Sequence, residues 1–256
     1  MTTIEVPSST DPSARDRYER EAAVVDRYDA TSFWDRRYHR RRFDAVAASL
    51  RRVSAPGRRV LDVGCGTGDY LAVARHAGAV AVGCDLAFGY CERAAAHADG
   101  RVAVADGTAL PFADRSFDVV LCSEVVEHLP ADRLSGLLEE LRRVCAGTLV
   151  VTTPNDRAAL RRLGRRLAPA HVRRLDDEVG HVNLLDRAEL AGLLAAPGWT
   201  LQSCEVFHVL PPVVGELARL PPRLAPVVDR AERLAGRCAA AAGNAMVATA
   251  VRTGAR

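Results

Sequence analysis

Two rhythms of apolar residues alternate along this chain. Short, mostly apolar runs at Val60–Val63, Ala79–Cys84, Arg101–Ala105, Phe117–Cys122 and Gly147–Thr153 have the length and composition of buried strands. Between them, apolar positions recur every three or four residues. Leu71, Val73 and Ala74 open a helix behind the first run, and Leu134, Leu137, Leu138, Leu141 and Val144 line one face of another over Asp132–Val144, with Asp132 placed as its cap. Asp186-Arg187-Ala188-Glu189 has the spacing of a capping box and predicts a helix through Leu194, stopped by Pro197 and Gly198. Trp199–Leu210 and Asn244–Arg252 read as two last strands. Ahead of them all, Ala14–Val53 is charged, with Tyr18, Val25, Trp34, Phe43 and Leu50 among its apolar and aromatic positions, and reads as two helices. Strands alternating with helices predict an α/β architecture.

The turn after the first strand carries the most chemistry. Val60 to Tyr70 read VLDVGCGTGDY, with glycines at 64, 66 and 68. Glycines let a backbone approach a ligand closely, and the carboxyl end of a strand is where open α/β sheets bind ligands. A redox dinucleotide is the first alternative, but its turn needs G-x-G-x-x-G. Here the third glycine comes one residue early and Asp69 follows, setting a carboxylate where a pyrophosphate would rest on a helix N-terminus. A nucleoside that lacks phosphate and carries a sulfonium suits the turn better, because Asp62 and Asp69 favour a cation and its amino group.

Asp62-Val63-Gly64-Cys65-Gly66-Thr67-Gly68 resembles the first motif of the class I S-adenosylmethionine-dependent methyltransferases, an acid followed by G-x-G-x-G. The later motifs follow in order: Asp85-Leu86 after the second strand, Asp106-Gly107-Thr108 after the third, and Leu110–Pro130, which resembles the family's fourth-strand signature with its loop at Ser123–His128. The resemblance implies S-adenosylmethionine as cofactor, with Asp85 receiving the ribose hydroxyls and Asp106, Gly107 and Thr108 along the adenine. Asp62, Gly64, Cys65, Gly66, Gly68, Leu86, Ser123 and Glu124 complete the implied cofactor set. It also implies a Rossmann-like, seven-stranded, mostly parallel sheet with helices on both faces and an antiparallel last strand. Residues 1–54 would form an N-terminal helical cap on a domain over 55–256, with insertions at 156–180 and 211–236. The segment FWDRRYHRRRFDAV resembles the entry segment of ubiquinone-type O-methyltransferases, which makes Arg42 a partner for the cofactor carboxylate; the alternative is a solvated face shared with Arg36, Arg37, Arg40 and Arg41.

Methyl transfer from a sulfonium asks mainly for alignment and, with a hydroxyl acceptor, for removal of a proton. His128 is the first candidate base and His181 the second; either can instead anchor its own loop. The closest branch of the resemblance implies a hydroxyl on a quinone, glycoside or polyketide-type small molecule. Nitrogen or carbon acceptors, a membrane-associated enzyme and a non-catalytic nucleoside-binding module are the alternatives. No D-x-x-D or D-N pair marks a cation site of the catechol-methyltransferase kind, so metal independence is expected.

Composition narrows the setting. With 35 basic residues, all arginine, against 32 acidic, a net charge of +3 gives no reason to expect nucleic acid as a partner. Seven scattered cysteines without C-x-x-C pairs indicate neither a zinc site nor a disulfide framework. A polar N-terminus and the lack of an 18-residue apolar run lead to the expectation of a cytoplasmic enzyme. In 157–174, seven arginines share the segment with Leu160, Leu163 and Leu167. This helix can serve as a solvated lid or touch an anionic membrane surface or amphipathic substrate. Oligomeric state is left open.

Overall fold

The structure is a computed structural model that describes residues 33–155, 180–183, 185–207, 220–238, 243 and 245–254, with Asp16, Glu19 and Arg166. Strand β1 (Arg59–Val63) leads through the glycine turn into α2 (Asp69–His76), after the long helix α1 (Phe33–Val53). Then come β2 (Val80–Asp85), α3 (Phe88–Ala94), β3 (Val102–Val104), β4 (Phe117–Ser123), α4 (Ala131–Val144) and β5 (Cys145–Pro154). Helix α5 (Arg187–Leu194), β6 (Trp199–Phe207), α6 (Ala225–Cys238) and β7 (Ala245–Arg252) complete the order. Among the described residues the seven strands make one sheet in the order β3-β2-β1-β4-β5-β7-β6. The first five strands run parallel, while β7 is antiparallel to both of its neighbours.

Strand order reverses between β1 and β4, so a crevice opens at their carboxyl ends, the switch point where such sheets take ligands. The sheet holds that crevice between two cores. On one face Leu61, Val63, Val120 and Cys122 pack with Leu137, Leu141 and Leu190 of α4 and α5. On the other, Val60, Val119 and Leu121 meet Val46 and Leu50 of α1 and Leu71 of α2. Helix α1 therefore shares the core of the sheet directly.

The capping box of α5 forms as expected, with Asp186 accepting from the amides of Ala188 and Glu189 while Glu189 accepts from the amide of Asp186. Asp132 is different. Helix α4 begins one residue earlier, after Pro130, and no side chain caps it; Asp132 instead sits in the first turn, where a carboxylate favours the helix dipole. Strand β5 starts at Cys145, two residues before the expected Gly147, because the chain passes straight from α4 into the sheet. The arginine-rich segment at 157–174 lies outside the described residues apart from Arg166, as do 208–219 and most of the N-terminal region before Phe33. Among the described residues no helix is long and apolar enough to cross a membrane.

Candidate active site

Asp62 reaches the crevice from β1. Side chains alternate along a strand, so Leu61 and Val63 enter one core face while Asp62 turns the other way. It is 1% exposed, and neither carboxylate oxygen has a hydrogen-bond partner among the described residues. Burial, with repulsion from Asp85 and then Asp69, pushes its carboxyl up to about 8. An unpaired buried carboxylate is costly, which marks this as a place for an incoming cation.

The glycine turn wraps beside it. A Cβ on Gly64 would lie 2.4 Å from Cγ2 of Val125, so only glycine fits against the β4 loop. Gly66 has φ +51° and nothing within 4 Å of where a Cβ would stand, leaving its backbone open to a ligand. The Gly66 amide donates to Oδ2 of Asp85 at 2.9 Å, and the Ala87 amide donates to Oδ1 at 3.0 Å. These two bonds fix the Asp85 carboxylate at the end of β2. Leu86 is half-buried in the same loop. Glu19, from the N-terminal region, accepts from the amides of Phe88 and Gly89 at 2.6 and 3.1 Å, gripping the start of α3 beside Asp85.

At the end of β3, Asp106 is tightly held. Its Oδ1 accepts from the amide and hydroxyl of Thr108, both at 2.9 Å, and Arg133 of α4 donates to Oδ2 at 2.5 Å. Gly107 packs under Leu137, whose Cδ1 would lie 2.8 Å from an added Cβ. Cys65, Cys84, Cys91 and Cys122 are buried, and burial raises each thiol, so they act as small core fillers.

The β4 loop closes the crevice. Glu124 holds φ +58°, a left-handed conformation that side-chain-bearing residues seldom adopt. Its carboxylate pairs with Arg42 of α1 and accepts from Thr152 at 3.2 Å, while Ser123 and Thr152 share a hydroxyl contact of 2.8 Å. Arg42, whose guanidinium also lies 5.2 Å from the Tyr38 ring, is thus paired and only partly exposed.

His128 and His181 meet there as well, their ring centroids 5.1 Å apart. Nδ1 of His128 lies 3.1 Å from the Gly180 carbonyl. A carbonyl only accepts, so Nδ1 carries the hydrogen in this contact. Beneath them Glu127 is fully buried, accepting from Thr153 at 3.1 Å, and its backbone carbonyl takes the amides of Val182 and Asn183. Glu127, His128 and His181 each present one ligand atom, all within 4.8 Å of one another, an arrangement able to hold a divalent cation.

Sequence reasoning placed Asp62, Asp85, Asp106, Ser123, Glu124, His128 and His181 around this crevice; the fold brings the first five to strand ends that face it and sets His128, in the loop after β4, against His181. It missed Arg133, Glu19, Thr152 and Glu127. Of these only Glu127 had a local signal, inside the motif S-E-V-V-E-H.

A family model described as a methyltransferase domain matches residues 38–203. The chain is 34% identical over 210 residues to a demethylmenaquinone methyltransferase of Mycobacterium sp. (strain KMS), covering 70% of this chain and 83% of that one. It is 36% identical over 172 residues to 24-methylenesterol C-methyltransferase 2 of Oryza sativa subsp. japonica, covering 57% and 47%. The matches span less than half the length of the first curated relatives, 46% in the case of a demethylmenaquinone methyltransferase of Corynebacterium urealyticum. Among solved structures, magnesium protoporphyrin IX methyltransferase from Synechocystis PCC 6803 with bound SAM is similar with a TM-score of 0.62 over 96% of this chain and 99% of that one, at 17% identity, a likeness of fold.

Proposed function

The chain belongs to the class I S-adenosylmethionine-dependent methyltransferases, and from that premise we propose that it methylates a hydroxyl of a small quinone, glycoside or polyketide-type metabolite. The observation that carries the reading is Asp62, an unpaired carboxylate inside a turn whose open side is backbone. That chemistry suits a cationic nucleoside without phosphate. When bound, the cofactor supplies an activated methyl group on a sulfonium.

The chain's own residues do the rest. Asp62 faces the cofactor's cationic tail, and Asp85, already oriented by two amides, receives the ribose hydroxyls. Asp106, steadied by Arg133 and Thr108, borders the adenine. Arg42 and Glu124, paired with each other in this structure, would hold the carboxylate and the ammonium of the cofactor's amino-acid end. His128, oriented by Gly180, takes the acceptor's proton at Nε2. The relatives' names, a quinone and a sterol among them, support a ring-bearing acceptor.

A second reading rests on the cluster of Glu127, His128 and His181. Glu127, His128 and His181 would hold a divalent cation there, which would supply Lewis-acid activation of a hydroxyl, and His128 would then be a ligand and not the base. Chelation separates the two: with His128 as base, methylation survives EDTA, and with a cation it is lost and returns on adding metal. The test of the whole is incubation with methyl-13C-labelled donor and a metabolite extract, followed by mass spectrometry and NMR. An oxygen-bound labelled methyl group, absent with His128→Ala, is expected. A carbon-bound label would move the acceptor to a C-nucleophile, and uptake of NAD with none of the donor would overturn the proposal.

A further inference from the structure

Helix α6 sorts its charges by face. Its acids, Asp229 and Glu232, turn inward: Arg37 of α1 pairs with Asp229 and bonds Glu232 at 2.7 and 3.0 Å, and Arg41 approaches Glu232 at 3.5 Å. Nε1 of Trp34, also in α1, donates to the Leu220 carbonyl at 2.7 Å, just ahead of the helix. Its exposed residues form the opposite face. Val227 is 63% and Leu234 51% exposed, one apolar pair at a spacing of two helical turns. Arg223, in the turn that leads into the helix, and Arg230 and Arg233 flank that pair, all three exposed. Among the described residues no acid of the helix is as exposed as these, Asp229 at 32% bordering Arg233 one turn away.

We propose that this face of α6 docks on an anionic lipid bilayer. A bilayer answers both halves of the pattern, since arginines meet headgroup phosphates while aliphatic side chains between them enter the acyl boundary. Nucleic acid answers only the charge, leaving Val227 and Leu234 in water. A second copy meeting face to face would set arginines against arginines without an equally exposed acid to pair them. The arginine-to-acid bonds to α1 hold the helix against the core, so binding needs no new folding. The inference stands independently of which acceptor the crevice takes.

Cosedimentation of the full chain with vesicles of phosphatidylcholine containing phosphatidylglycerol, against phosphatidylcholine alone, tests it. Binding to the anionic vesicles only is expected, weakened by 0.5 M salt. Replacing Arg223, Arg230 and Arg233 together with Gln should reduce partitioning by about a hundredfold, roughly fivefold for each charge. Val227→Ser with Leu234→Ser should lower it by about tenfold or more with every arginine in place. Both variants should keep the parent's thermal midpoint and its heat of S-adenosylmethionine binding, which separates failure here from failure of the methyltransferase reading. The proposal is overturned by equal binding to uncharged vesicles, or by anionic binding that survives the arginine changes. It is equally overturned if those changes abolish self-association or oligonucleotide binding in place of vesicle binding.

Discussion

Replacing Asp62 with Asn should alter pH-dependent stability and cofactor uptake together. In the folded chain the Asp62 carboxyl titrates at about 8, against about 3.9 when the chain is unfolded. Between those values the folded state holds a proton that the unfolded state has released. The stability linked to this group is therefore complete below about pH 4 and is lost as pH rises toward 8, with a slope approaching about 1.4 kcal/mol per pH unit. Asp62→Asn should flatten that slope, so the variant's advantage in urea midpoint widens from pH 5 to pH 8. Cofactor binding runs the other way. A cation beside Asp62 favours the carboxylate, so at pH 7, where about nine-tenths of the group is protonated in the free protein, binding should expel about 0.9 proton. At pH 9 it should expel about 0.1. Titration calorimetry in two buffers of different ionisation enthalpy reads this number directly. Binding heats that do not depend on buffer, or proton release that persists in Asp62→Asn, would refute the assignment of Asp62 to the cation.

Gly64→Ala drives a Cβ to 2.4 Å from Val125 at φ +74°, and a loss of at least about 2 kcal/mol is expected in urea unfolding; an unchanged midpoint would mean the β4 loop can move aside. Arg42→Ala should weaken S-adenosylmethionine binding by about tenfold or more, the scale of one charge-assisted hydrogen bond. It should hardly change the thermal midpoint, because the pair with Glu124 is partly solvated at 18% and 29% exposure. Calorimetry beside thermal melts would show whether those two effects separate. Cys65, Cys84, Cys91, Cys122, Cys145 and Cys204 are all buried with raised thiols. None of the six should react with a thiol reagent at pH 8 until denaturant is added, and mass spectrometry of the labelled peptides would expose an exception.

How much could be read in advance depended on the range of each interaction. The strand ends announced themselves because a short apolar run followed by an acid or glycine is a local signal: Gly64, Asp85 and Asp106 each follow a run, and Asp62 stands one residue before the end of its own. The partners of those acids carry no such signal. Arg133 sits on an ordinary helix and meets Asp106 from 27 positions away, while Glu19 reaches the start of α3 from 69. The cation-capable cluster carries no such signal for the same reason: D-x-x-D, D-N and C-x-x-C are local patterns, whereas the fold assembles one ligand set from the β4 loop and from the segment after β5. Asp132 shows the opposite error, a good capping residue passed over because Pro130 starts the helix one residue sooner.

The distribution of arginine supplies the remaining step. With 35 in the chain, the fold supplies a cation to several buried or half-buried carboxylates. Asp106 receives Arg133, Glu124 receives Arg42, Glu140 receives Arg143 and Glu232 receives Arg37. Asp62, more deeply buried than Asp106, receives none among the described residues. Such an omission is expensive, since a buried carboxylate without a partner costs several kcal/mol when ionised. It persists sensibly only if the missing positive charge is brought by something that binds. Placing an arginine there would relieve the strain on the free protein and close the site, so a second-site change that neutralises Asp62 should stabilise the chain while weakening its hold on the sulfonium nucleoside.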